Sequence, residues 1–409
     1  MDVRNWVYEA LCQVILKGTY SNLYLKDHLS KLPPQKRALA TRIFYGTIQN
    51  YALCTYVWKQ HVAKAPAPEV QVLLAMTIYQ IRFMDKVPDY AAVDDAVNIA
   101  RRRFRKSAGF VNGVLRNVLR TAVQLPETEP EKTALEYSVP LWLMKMWQAQ
   151  YGEQAARRMA ESANAVLPVY VRFNPTKITA EEFFADEDIQ PYNEHLGIFT
   201  GTDITAHPFY QEGKMSVQDP GSFAISQYVD AQPGDAILDV CAAPGTKTMA
   251  LAEQMEDRGS ILANDLHPHR VRLMDQDAAR LGLQSVHTMC ADASQLPASL
   301  GVFDKVLCDV PCSGYGVFAR KPDIKLRARP EDMDTLIPLQ QEILEQAAGH
   351  VKGGGALVYS TCTVNRKENE KQVETFLKNH PDFSLEKQET IFPDHNENGF
   401  YMARLMRRH

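Results

Sequence analysis

The chain has few cysteines, and nothing in their spacing pairs them. It contains 409 residues and seven cysteines, which is an odd number. The cysteines are widely scattered and form no C-x-x-C pair. Disulfide-stabilised secreted domains and structural zinc sites both need closely spaced or paired cysteines. Neither class fits, so we expect a protein of a reducing compartment, the cytoplasm, with no metal site.

Signals for membranes and secretion are also missing. The sequence has no run of eighteen apolar residues, which is about the length that a membrane-spanning helix needs. The N-terminal stretch MDVRNWVYEALCQVILKG has no basic segment followed by an apolar block and a cleavage site, and it is typical of an amphipathic helix. Apolar residues make up 45% and charged residues 23% of the chain, as in ordinary globular proteins. We therefore expect no membrane partner.

Positive charge is concentrated near the N-terminus. Residues 1–140 contain 19 Lys+Arg and 12 Asp+Glu, whereas the whole chain has 45 basic and 49 acidic residues. A basic segment attached to an acidic remainder favours a polyanionic partner, although a solvated helical surface explains the count equally well. The stretch RRRFRKSAG lies at a predicted helix end, where cations also suit the helix dipole. We predict that its basic residues contact the phosphates of a polyanionic partner: Arg101, Arg102, Arg103, Arg105 and Lys106.

Residues 1–125 are predicted to be all-helical. Apolar residues recur at spacings of three and four in YAAVDDAVNIARRRF and in GFVNGVLRNVLRTAV. The expected buried faces are Ala92, Val93, Ala96, Val97 and Ala100, and then Phe110, Val111, Val114, Leu115, Val118 and Leu119. A stretch rich in proline and glutamate predicts a linker at 126–134, and residues 135–215 read as a small α+β region.

From residue 216 to 409, apolar strands alternate with helical stretches. The strand candidates AILDV, ILAND, VHTMCAD, KVLCDV and GALVYST are apolar without alternation, which is typical of parallel strands buried on both faces. Alternating strands and helices predict a doubly wound α/β sheet. In such sheets ligands bind beyond the carboxyl ends of the strands.

The first of these strands leads through CAAPGTKT into a helix. The loop lacks both G-x-G-x-x-G and the P-loop pattern, so it lacks the glycines that cradle a pyrophosphate. S-adenosylmethionine has an adenosine but no phosphate, and its carboxylate can use the helix N-terminus. Asp239 is placed to meet its ammonium group, Asp265 its ribose hydroxyls and Asp292 its adenine amino group. A strand-end aspartate alone is more often a helix cap, but here four follow successive strands, the fourth being Asp309.

The cysteines fall into two groups. Cys12, Cys54, Cys241, Cys290 and Cys308 lie in or beside apolar patterns and are predicted to pack in cores. Cys312 and Cys362 each follow a strand end in a loop of small and polar residues, on the side where ligands bind. Such loops are poor places for a merely packed thiol, so these two cysteines are predicted to react.

Three separated stretches together resemble a known family. DVCAAPGTKT, DVPCSGYG and YSTCTVNRKENE stand in the order found in the RNA cytosine-5 methyltransferases that use two cysteines, and VQDPGS, RKPDIK and NGFYMARL support the likeness. PDYAAVDDAVNIARRR and GFVNGVLRNVLR resemble the helical RNA-binding domain of the antitermination factor NusB. The combination, over nearly all of the chain, resembles the RsmB-type bacterial 16S ribosomal RNA cytosine-C5 methyltransferases. Thr246 stands where the family usually has glycine, and Asn398 where it commonly has aspartate.

The resemblance implies a fold and a reaction. The fold is multidomain: an all-α NusB-like domain, a small α+β region and a C-terminal α/β doubly wound, Rossmann-like methyltransferase domain. The reaction is methylation of carbon 5 of a cytosine in 16S ribosomal RNA. By resemblance, Cys362 attacks the ring, Asp309 contacts ring nitrogen 3, Cys312 helps to resolve the adduct, and Lys247 lies near the cofactor or the target base.

Further binding residues follow from the same resemblance. The residues expected to hold S-adenosylmethionine are Asp239, Cys241, Ala242, Ala243, Pro244, Gly245, Thr246, Lys247, Asp265, Arg270, Asp292 and Asp309. Arg320, Lys321 and Lys325 are expected to hold RNA phosphates, and Glu368 and Glu370 to be acids at a helix start. Because the target base must leave its stack, we expect ribosomal RNA that is unpaired or not fully assembled, and a monomeric enzyme.

Three alternatives stay open at the level of sequence. The residues alone do not choose between the two thiols, since DNA cytosine methyltransferases attack with the cysteine of a PC motif. A methyltransferase acting on another RNA, on DNA or on protein is a second alternative. A non-catalytic RNA-binding or antitermination factor, built on the helical domain, is the third.

Overall fold

The computed structural model describes residues 2–409, which divide into two compact units. The helical unit comprises residues 2–165 and Phe318–Pro330, and the sheet unit comprises Val166–Val317 and Glu331–His409. The division differs from the predicted one. The stretch 126–134 does not separate compact units, because the first unit continues through three further helices to residue 165.

The helical unit has the predicted all-α character. Asp2 caps its first helix by accepting hydrogen bonds from the backbone amides of Arg4 and Asn5. The helices of residues 2–165 are α1 (Val3–Lys17), α2 (Ser21–His28), α3 (Pro34–Gln49), α4 (Tyr51–Lys59), α5 (Pro68–Phe83), α6 (Asp89–Arg103), α7 (Ala108–Arg120), α8 (Glu131–Glu136), α9 (Leu141–Tyr151) and α10 (Glu153–Ser162). Helices α1 to α7 contribute to one apolar core that includes Leu11, Phe44 and Trp58.

The predicted apolar faces of α6 and α7 are largely confirmed. All five apolar positions of α6 are buried, and so are Val111, Val114, Leu115 and Val118 of α7. Phe110 and Leu119 are exposed, so their predicted burial is wrong. The buried residues of α7 keep the spacing of three and four along one stripe, and these two side chains lie just outside it.

The first part of the sheet unit is a small antiparallel sheet with the strand order β2-β3-β1-β4. Its elements are β1 (Val169–Phe173), α11 (Ala180–Phe184), β2 (Ile189–Pro191), β3 (Leu196–Phe199), α12 (Pro208–Gln211) and β4 (Met215–Val217). Val171, Phe183 and Met215 belong to its small core. The predicted α+β character of this region is therefore found, carried by residues 166–217.

The second part is a seven-stranded sheet with the order β10-β11-β9-β8-β5-β6-β7. Strands β5 to β9 run parallel, and the last two pair antiparallel at one edge. The strands are β5 (Ala236–Asp239), β6 (Ser260–Asp265), β7 (Val286–Cys290), β8 (Phe303–Asp309), β9 (Val351–Thr361), β10 (Phe383–Ile391) and β11 (Phe400–Arg407). The five parallel strands are those that the sequence predicts, and the doubly wound fold is confirmed.

Helices connect these strands. They are α13 (Pro220–Val229), α14 (Thr246–Gln254), α15 (Pro268–Leu281), α17 (Met333–Gly349) and α18 (Glu370–Asn379), while α16 (Ile324–Arg327) belongs to the helical unit. Short 3-10 turns cover Leu29–Lys31, Arg105–Ser107, Ile204–Ala206, Ala293–Gln295, Ala298–Leu300 and Pro330–Asp332. Within residues 2–409, no helix is both long enough and apolar enough to cross a membrane.

Residues 318–330 form an arm that leaves the sheet unit and completes the helical unit. Phe318 packs against Trp147, with ring centroids 6.0 Å apart. Asp323 accepts a hydrogen bond of 2.5 Å from the Ser21 hydroxyl. The Lys325 ammonium is buried and donates to the carbonyls of Gln49 and Tyr137 at 2.8 and 2.9 Å. The arm is therefore an integral part of the helical unit, because its side chains pack and hydrogen-bond within that unit.

The burial of Lys325 corrects a prediction. Its Nζ also donates to the side-chain oxygen of Asn164 at 2.6 Å, and burial lowers the pKa of Lys325 to about 7. A group with three protein acceptors and almost no exposed surface does not reach an RNA phosphate. Arg320 and Lys321, which precede it, are exposed and stay predictions as phosphate ligands.

We predict that Lys325→Met destabilises the helical unit by about 2–4 kcal/mol, because it leaves buried carbonyls without a donor. All four tryptophans lie within residues 6–147, so tryptophan fluorescence during urea unfolding reports this unit alone. Lys321→Met, which removes an exposed charge from the same arm, serves as the control and is expected to change little.

The same variant separates a structural from an RNA-contacting lysine. If Lys325 neutralised a phosphate, its loss would reduce the slope of log affinity for RNA against log salt by roughly 0.7–0.9. We expect an unchanged slope in Lys325→Met. An unchanged unfolding midpoint together with a shallower slope would contradict the structural role.

Candidate active site

The carboxyl ends of the parallel strands bring the predicted residues to one edge of the sheet. Asp239 ends β5, Asp265 ends β6 and Asp309 ends β8, while Cys362 follows β9 directly. Ladder pairing places Asp309 beside Ser360 of β9. Side chains that are up to 123 positions apart in the sequence therefore share one site, because parallel strands expose their carboxyl ends together.

The two predicted reactive thiols are in contact. Cys312 Sγ and Cys362 Sγ lie 3.3 Å apart, which is a hydrogen-bond distance and longer than a disulfide bond. The hydrogen bond to Cys362 and burial raise the pKa of the Cys312 thiol well above its usual value. Across this contact either sulfur can donate its proton to the other.

Lys247 and Asp309 form an ion pair at the same edge. Lys247 Nζ lies 2.6 Å from Asp309 Oδ2, and the Ser360 hydroxyl donates to Asp309 Oδ1 at 2.7 Å. Burial lowers the pKa of Lys247, but the charge of Asp309 and its hydrogen bond outweigh burial, so the net pKa is raised. The lysine is therefore held as a cation and the aspartate is held in a fixed orientation.

Glu368 has a different place from the one predicted. It lies two residues before α18 and is fully buried, whereas Glu370 is the first residue of that helix as expected. The Glu368 carboxylate accepts hydrogen bonds from the amide and the hydroxyl of Ser313, at 2.9 and 2.5 Å. It is therefore a clamp on the loop of Cys312, and the interpretation of Glu368 as a dipole-stabilising acid is wrong.

Close backbone contact fixes the loop that follows Cys312. Gly316 N donates to the carbonyl of Cys362 at 3.2 Å, and Gly399 N donates to the carbonyl of Gly316 at 2.7 Å. A Cβ at position 316 would lie 2.1 Å from the carbonyl oxygen of Gly399, so a larger residue would force the two segments apart. The glycine therefore lets the two cysteine loops approach.

The loop before α14 fits the predicted cofactor. Gly245 adopts φ +100°, a left-handed conformation that favours glycine, and then starts the helix. The amides of the first helical turn have no partner within the helix and can meet a carboxylate. Asp239, at the start of the loop, is buried, and its Oδ1 has no hydrogen-bond partner among residues 2–409.

The acids at the neighbouring strand ends keep acceptor capacity. Asp265 Oδ1 accepts from the amide of His267 at 2.9 Å, and Asp265 Oδ2 lies 3.9 Å from Arg270. Asp292 Oδ1 accepts hydrogen bonds from the backbone amide and the hydroxyl of Ser294. The hydrogen bond from the backbone amide holds the pKa of Asp292 below its usual range. Each carboxylate therefore has a second oxygen to offer a hydroxyl or an amino group.

One residue that joins these strand ends was missed in the sequence. Asn264 donates to the carbonyls of Val240 and Ala291 at 2.9 and 3.0 Å, and accepts from the amide of Ala291 at 2.9 Å. It fixes the ends of three strands relative to one another. The available signal was a polar side chain directly before the strand-end acid Asp265.

A buried ion pair supports the cofactor loop from behind. Arg172 of β1 makes two hydrogen bonds, of 2.6 and 2.9 Å, to the carboxylate of Glu253 in α14. Burial raises the pKa of Glu253 although Arg172 counteracts it. Arg172 also reaches Gln218 and, at 3.4 Å, the carbonyl of Thr246. A charge inside the apolar stretch VYVRF was the signal for it.

The remaining cysteines follow the predictions with two differences. Cys54 and Cys308 are buried and Cys12 is partly buried, in line with their assignment to cores. Cys290 is exposed, because it ends β7, a strand at the open edge of the sheet, so its predicted burial is wrong. Cys241 is only half-buried and lies at the start of the cofactor loop.

The basic residues at 101–106 that are predicted to contact RNA are exposed. Arg103 is already engaged with Glu9 and, at 3.1 Å, with Asn5. Arg102 lies 3.7 Å from Asp2. The exposed side chains of the cluster are Arg101, Arg102, Arg103, Arg105 and Lys106. Their contact with RNA remains a prediction.

Comparisons with known proteins decide the family. A protein of Bacillus subtilis (strain 168) called probable ribosomal RNA small subunit methyltransferase B is 38% identical, over 94% of this chain and 91% of its own length. The chain belongs to the RsmB/F family of 16S rRNA methyltransferases. The model of that family matches residues 226–406, the NusB family model residues 1–120, and a ferredoxin-like domain model of the RsmF/B type residues 139–186.

Further relatives agree with this assignment. Ribosomal RNA small subunit methyltransferase B of Vibrio cholerae is 31% identical over 100% of this chain and 98% of its own. The crystal structure of PH0851 is similar with a TM-score of 0.84 and 26% identity, covering 99% of both chains. A methyltransferase homolog from Pyrococcus horikoshii has a TM-score of 0.60 and 26% identity over 67% of this chain and 97% of its own. The RsmB/F fold thus accounts for the whole chain.

We predict that Asp239 makes stability depend on pH. Burial raises the pKa of Asp239 to about 7, whereas the unfolded chain releases this proton near the ordinary pKa of 3.8. The folded state binds more protons between these values, so stability falls as pH rises from about 4 to 7.

Asp239→Asn should remove this slope, which amounts to a difference on the order of 4 kcal/mol across the interval. Denaturant unfolding followed by circular dichroism at several pH values between 4 and 7 measures it. Parallel pH profiles for the variant and the unaltered protein would contradict the prediction.

Proposed function

We propose that this protein transfers a methyl group from S-adenosylmethionine to carbon 5 of a cytosine in 16S ribosomal RNA, through a covalent adduct with Cys362. The observation that carries the proposal is the contact of Cys312 Sγ with Cys362 Sγ at 3.3 Å, at the sheet edge that also holds the Lys247–Asp309 pair. Carbon 5 of cytosine is a poor nucleophile, so the reaction needs a thiolate to activate the ring.

S-Adenosylmethionine fits the donor set at the strand ends. The first-turn amides of α14 suit its carboxylate, and the unpartnered Oδ1 of Asp239 suits its ammonium group. The second carboxylate oxygens of Asp265 and Asp292 suit ribose hydroxyls and an adenine amino group. When bound, the cofactor supplies a methyl group on a positively charged sulfur, which is ready to accept an electron pair.

The first step activates the ring. The Cys362 thiolate bonds to carbon 6 of cytosine, and the electron pair of the 5,6 double bond is delocalised towards ring nitrogen 3. That nitrogen takes a proton through Asp309 Oδ2, and Lys247 Nζ, which donates to this oxygen at 2.6 Å, resupplies it. The ring is then an enamine, so carbon 5 is nucleophilic and could accept the methyl group of a bound S-adenosylmethionine, whose bond from sulfur to the methyl carbon would break with the electron pair left on sulfur.

The second step releases the product. Carbon 5 loses its proton to solvent, the bond from carbon 6 to Cys362 breaks, and the sulfur leaves as a thiolate. The proton on ring nitrogen 3 returns through Asp309 to Lys247. Because the Cys312 thiol keeps its proton, its S–H can stabilise the departing sulfur at 3.3 Å. Cys312 therefore assists release and does not attack.

The substrate must present an accessible cytosine. A base stacked in a helix cannot reach a thiol in a loop, so we propose that the enzyme, as a monomer, acts on 16S RNA that is unpaired or not fully assembled. The basic cluster Arg101–Lys106, with Arg320 and Lys321, is proposed to hold RNA phosphates, since these side chains are exposed.

Transfer of labelled methyl groups tests the substrate. We expect label from S-adenosylmethionine to enter free 16S RNA as 5-methylcytosine and not to enter DNA. Mapping 5-methylcytosine in ribosomal RNA from cells without this protein then identifies the nucleotide. Label on a different base, or in DNA alone, would overturn the proposal. Failure to bind S-adenosylmethionine at all would favour a non-catalytic RNA-binding factor.

The two thiols are distinguished by trapping. We predict that Cys362→Ala abolishes both methylation and covalent capture of RNA, because the nucleophile is gone. Cys312→Ala should accumulate an RNA–protein adduct that withstands denaturing electrophoresis, because release is impaired. Cys290→Ala, which removes an exposed thiol elsewhere on the sheet, is the control and should behave like the unaltered protein. The reverse pattern, capture by Cys362→Ala alone, would show that Cys312 attacks.

Cofactor binding has its own test. We predict that Asp265→Ala weakens binding of S-adenosylmethionine by roughly 10- to 100-fold, since each hydrogen bond to a charged group contributes on the order of 1.5–3 kcal/mol. Isothermal titration calorimetry without RNA measures the change. Asp275→Ala, on the outer part of α15, is the control, and its side chain accepts from Thr288 at 2.7 Å. Equal affinities of the Asp265 variant and the unaltered protein would exclude this acid from the cofactor site.

A further inference from the structure

Four neutral groups donate hydrogen bonds to the buried carboxylate of Glu368. Its Oε2 accepts from Ser313 N at 2.9 Å and from Gln340 Nε2 at 3.0 Å. Its Oε1 accepts from Ser313 Oγ at 2.5 Å and from Asn365 Nδ2 at 2.9 Å. Four such donors satisfy a carboxylate, so its negative charge can be retained in the interior by neutral groups.

Proton directions in this network can be worked out. Ser313 Oγ gives its single proton to Glu368, so the contact of 2.8 Å between Ser313 Oγ and Thr363 Oγ1 must use the proton of Thr363. Thr363 Oγ1 in turn accepts from Tyr315 N at 3.1 Å. The hydrogen bonds therefore run in one direction: Tyr315 N donates to Thr363 Oγ1, Thr363 Oγ1 donates to Ser313 Oγ, and Ser313 Oγ donates to Glu368 Oε1.

The charges around the two thiols are unequal. The Asp309 carboxylate raises the pKa of Lys247 most, and the sulfur of Cys362 also raises it, so the Lys247 cation interacts electrostatically with that sulfur. The negative charges of Glu368 and Asp309 act on Cys312, where they oppose loss of its proton. Tyr315 and Tyr359 also interact electrostatically with Cys312, and burial raises the pKa of both hydroxyls, so they stay neutral. The cation thus lies by one thiol and the carboxylate of Glu368 by the other.

We propose that Glu368 is the positioning residue that decides which of the two cysteines attacks. Its carboxylate holds the loop of Cys312 through hydrogen bonds to Ser313 and places a negative charge near that thiol, so Cys312 keeps its proton. The proton is then available to the sulfur of Cys362, which carries the charge beside Lys247. The inference rests on the proposed covalent function, but its chemistry can be measured without RNA or cofactor.

The rate of alkylation by iodoacetamide measures each thiolate directly. In the unaltered protein we expect Cys362 to be alkylated at lower pH than Cys312, as quantified by mass spectrometry of the two peptides over a pH range of about 6–10. Glu368→Gln removes the charge at nearly constant volume. The half-maximal pH of Cys312 should fall by about one unit, and the preference for Cys362 should shrink about tenfold.

Two further variants complete the design. Glu368→Asp keeps the charge and should restore the preference, whereas a purely packing role predicts that the shorter side chain does no better than the amide. Glu370→Gln makes the same chemical change two residues on, where the carboxylate accepts from Thr390, and should leave both thiols unaffected. An unchanged Cys312 profile in Glu368→Gln, or an equal change in Glu370→Gln, would overturn the proposal.

The unaltered protein alone also tests the proposal if Glu368→Gln does not fold. Faster alkylation of Cys312 than of Cys362 at neutral pH would sink the inference without any variant. Failure of the proposed function has a different signature, since an absence of methyl transfer to RNA leaves the alkylation profile intact. The two results are therefore separable.

Discussion

Two sulfur atoms that lie 3.3 Å apart cannot both be negatively charged, because like charges at contact distance exclude one another. A site that needs one thiolate and one thiol can therefore be made from two chemically identical residues, provided that the surroundings differ. Here the strand ends bring the sulfurs together, the glycine at 316 lets their loops close, and Lys247 and Glu368 supply charges of opposite sign. The chemistry of the site follows from which of the two sulfur atoms holds the single proton between them.

Much of the site was predictable because parallel strands end at one edge. That rule placed Asp239, Asp265 and Asp309 together and picked Cys312 and Cys362 out of seven cysteines. Glu368 escaped it. An acid just before a helix has an adequate local explanation in the dipole, and only the tertiary fold shows that its carboxylate faces the loop of Ser313. Local patterns cannot report which distant amide a side chain meets.

The burial of Lys325 shows the same limit for the fold. Lys325 lies in a basic stretch next to a reactive loop, so contact with phosphate was the natural expectation. Its three acceptors come from residues 49, 137 and 164, and no periodicity in the sequence points to them. The compact helical unit extends past the predicted linker for a related reason. Proline and glutamate mark flexible chain, but the helices after them still pack with the first unit.

The arm at residues 318–330 has a consequence for synthesis of the chain. Translation proceeds from the N-terminus at roughly 5–20 residues per second, so about 10–30 s separate the emergence of residue 165 from that of residue 330. During this interval the carbonyl acceptors of Lys325 and the ring of Trp147 lack their partners, because Lys325 and Phe318 have not yet been synthesised. The helical unit, although encoded first, reaches its final form only when most of the 409 residues have been translated.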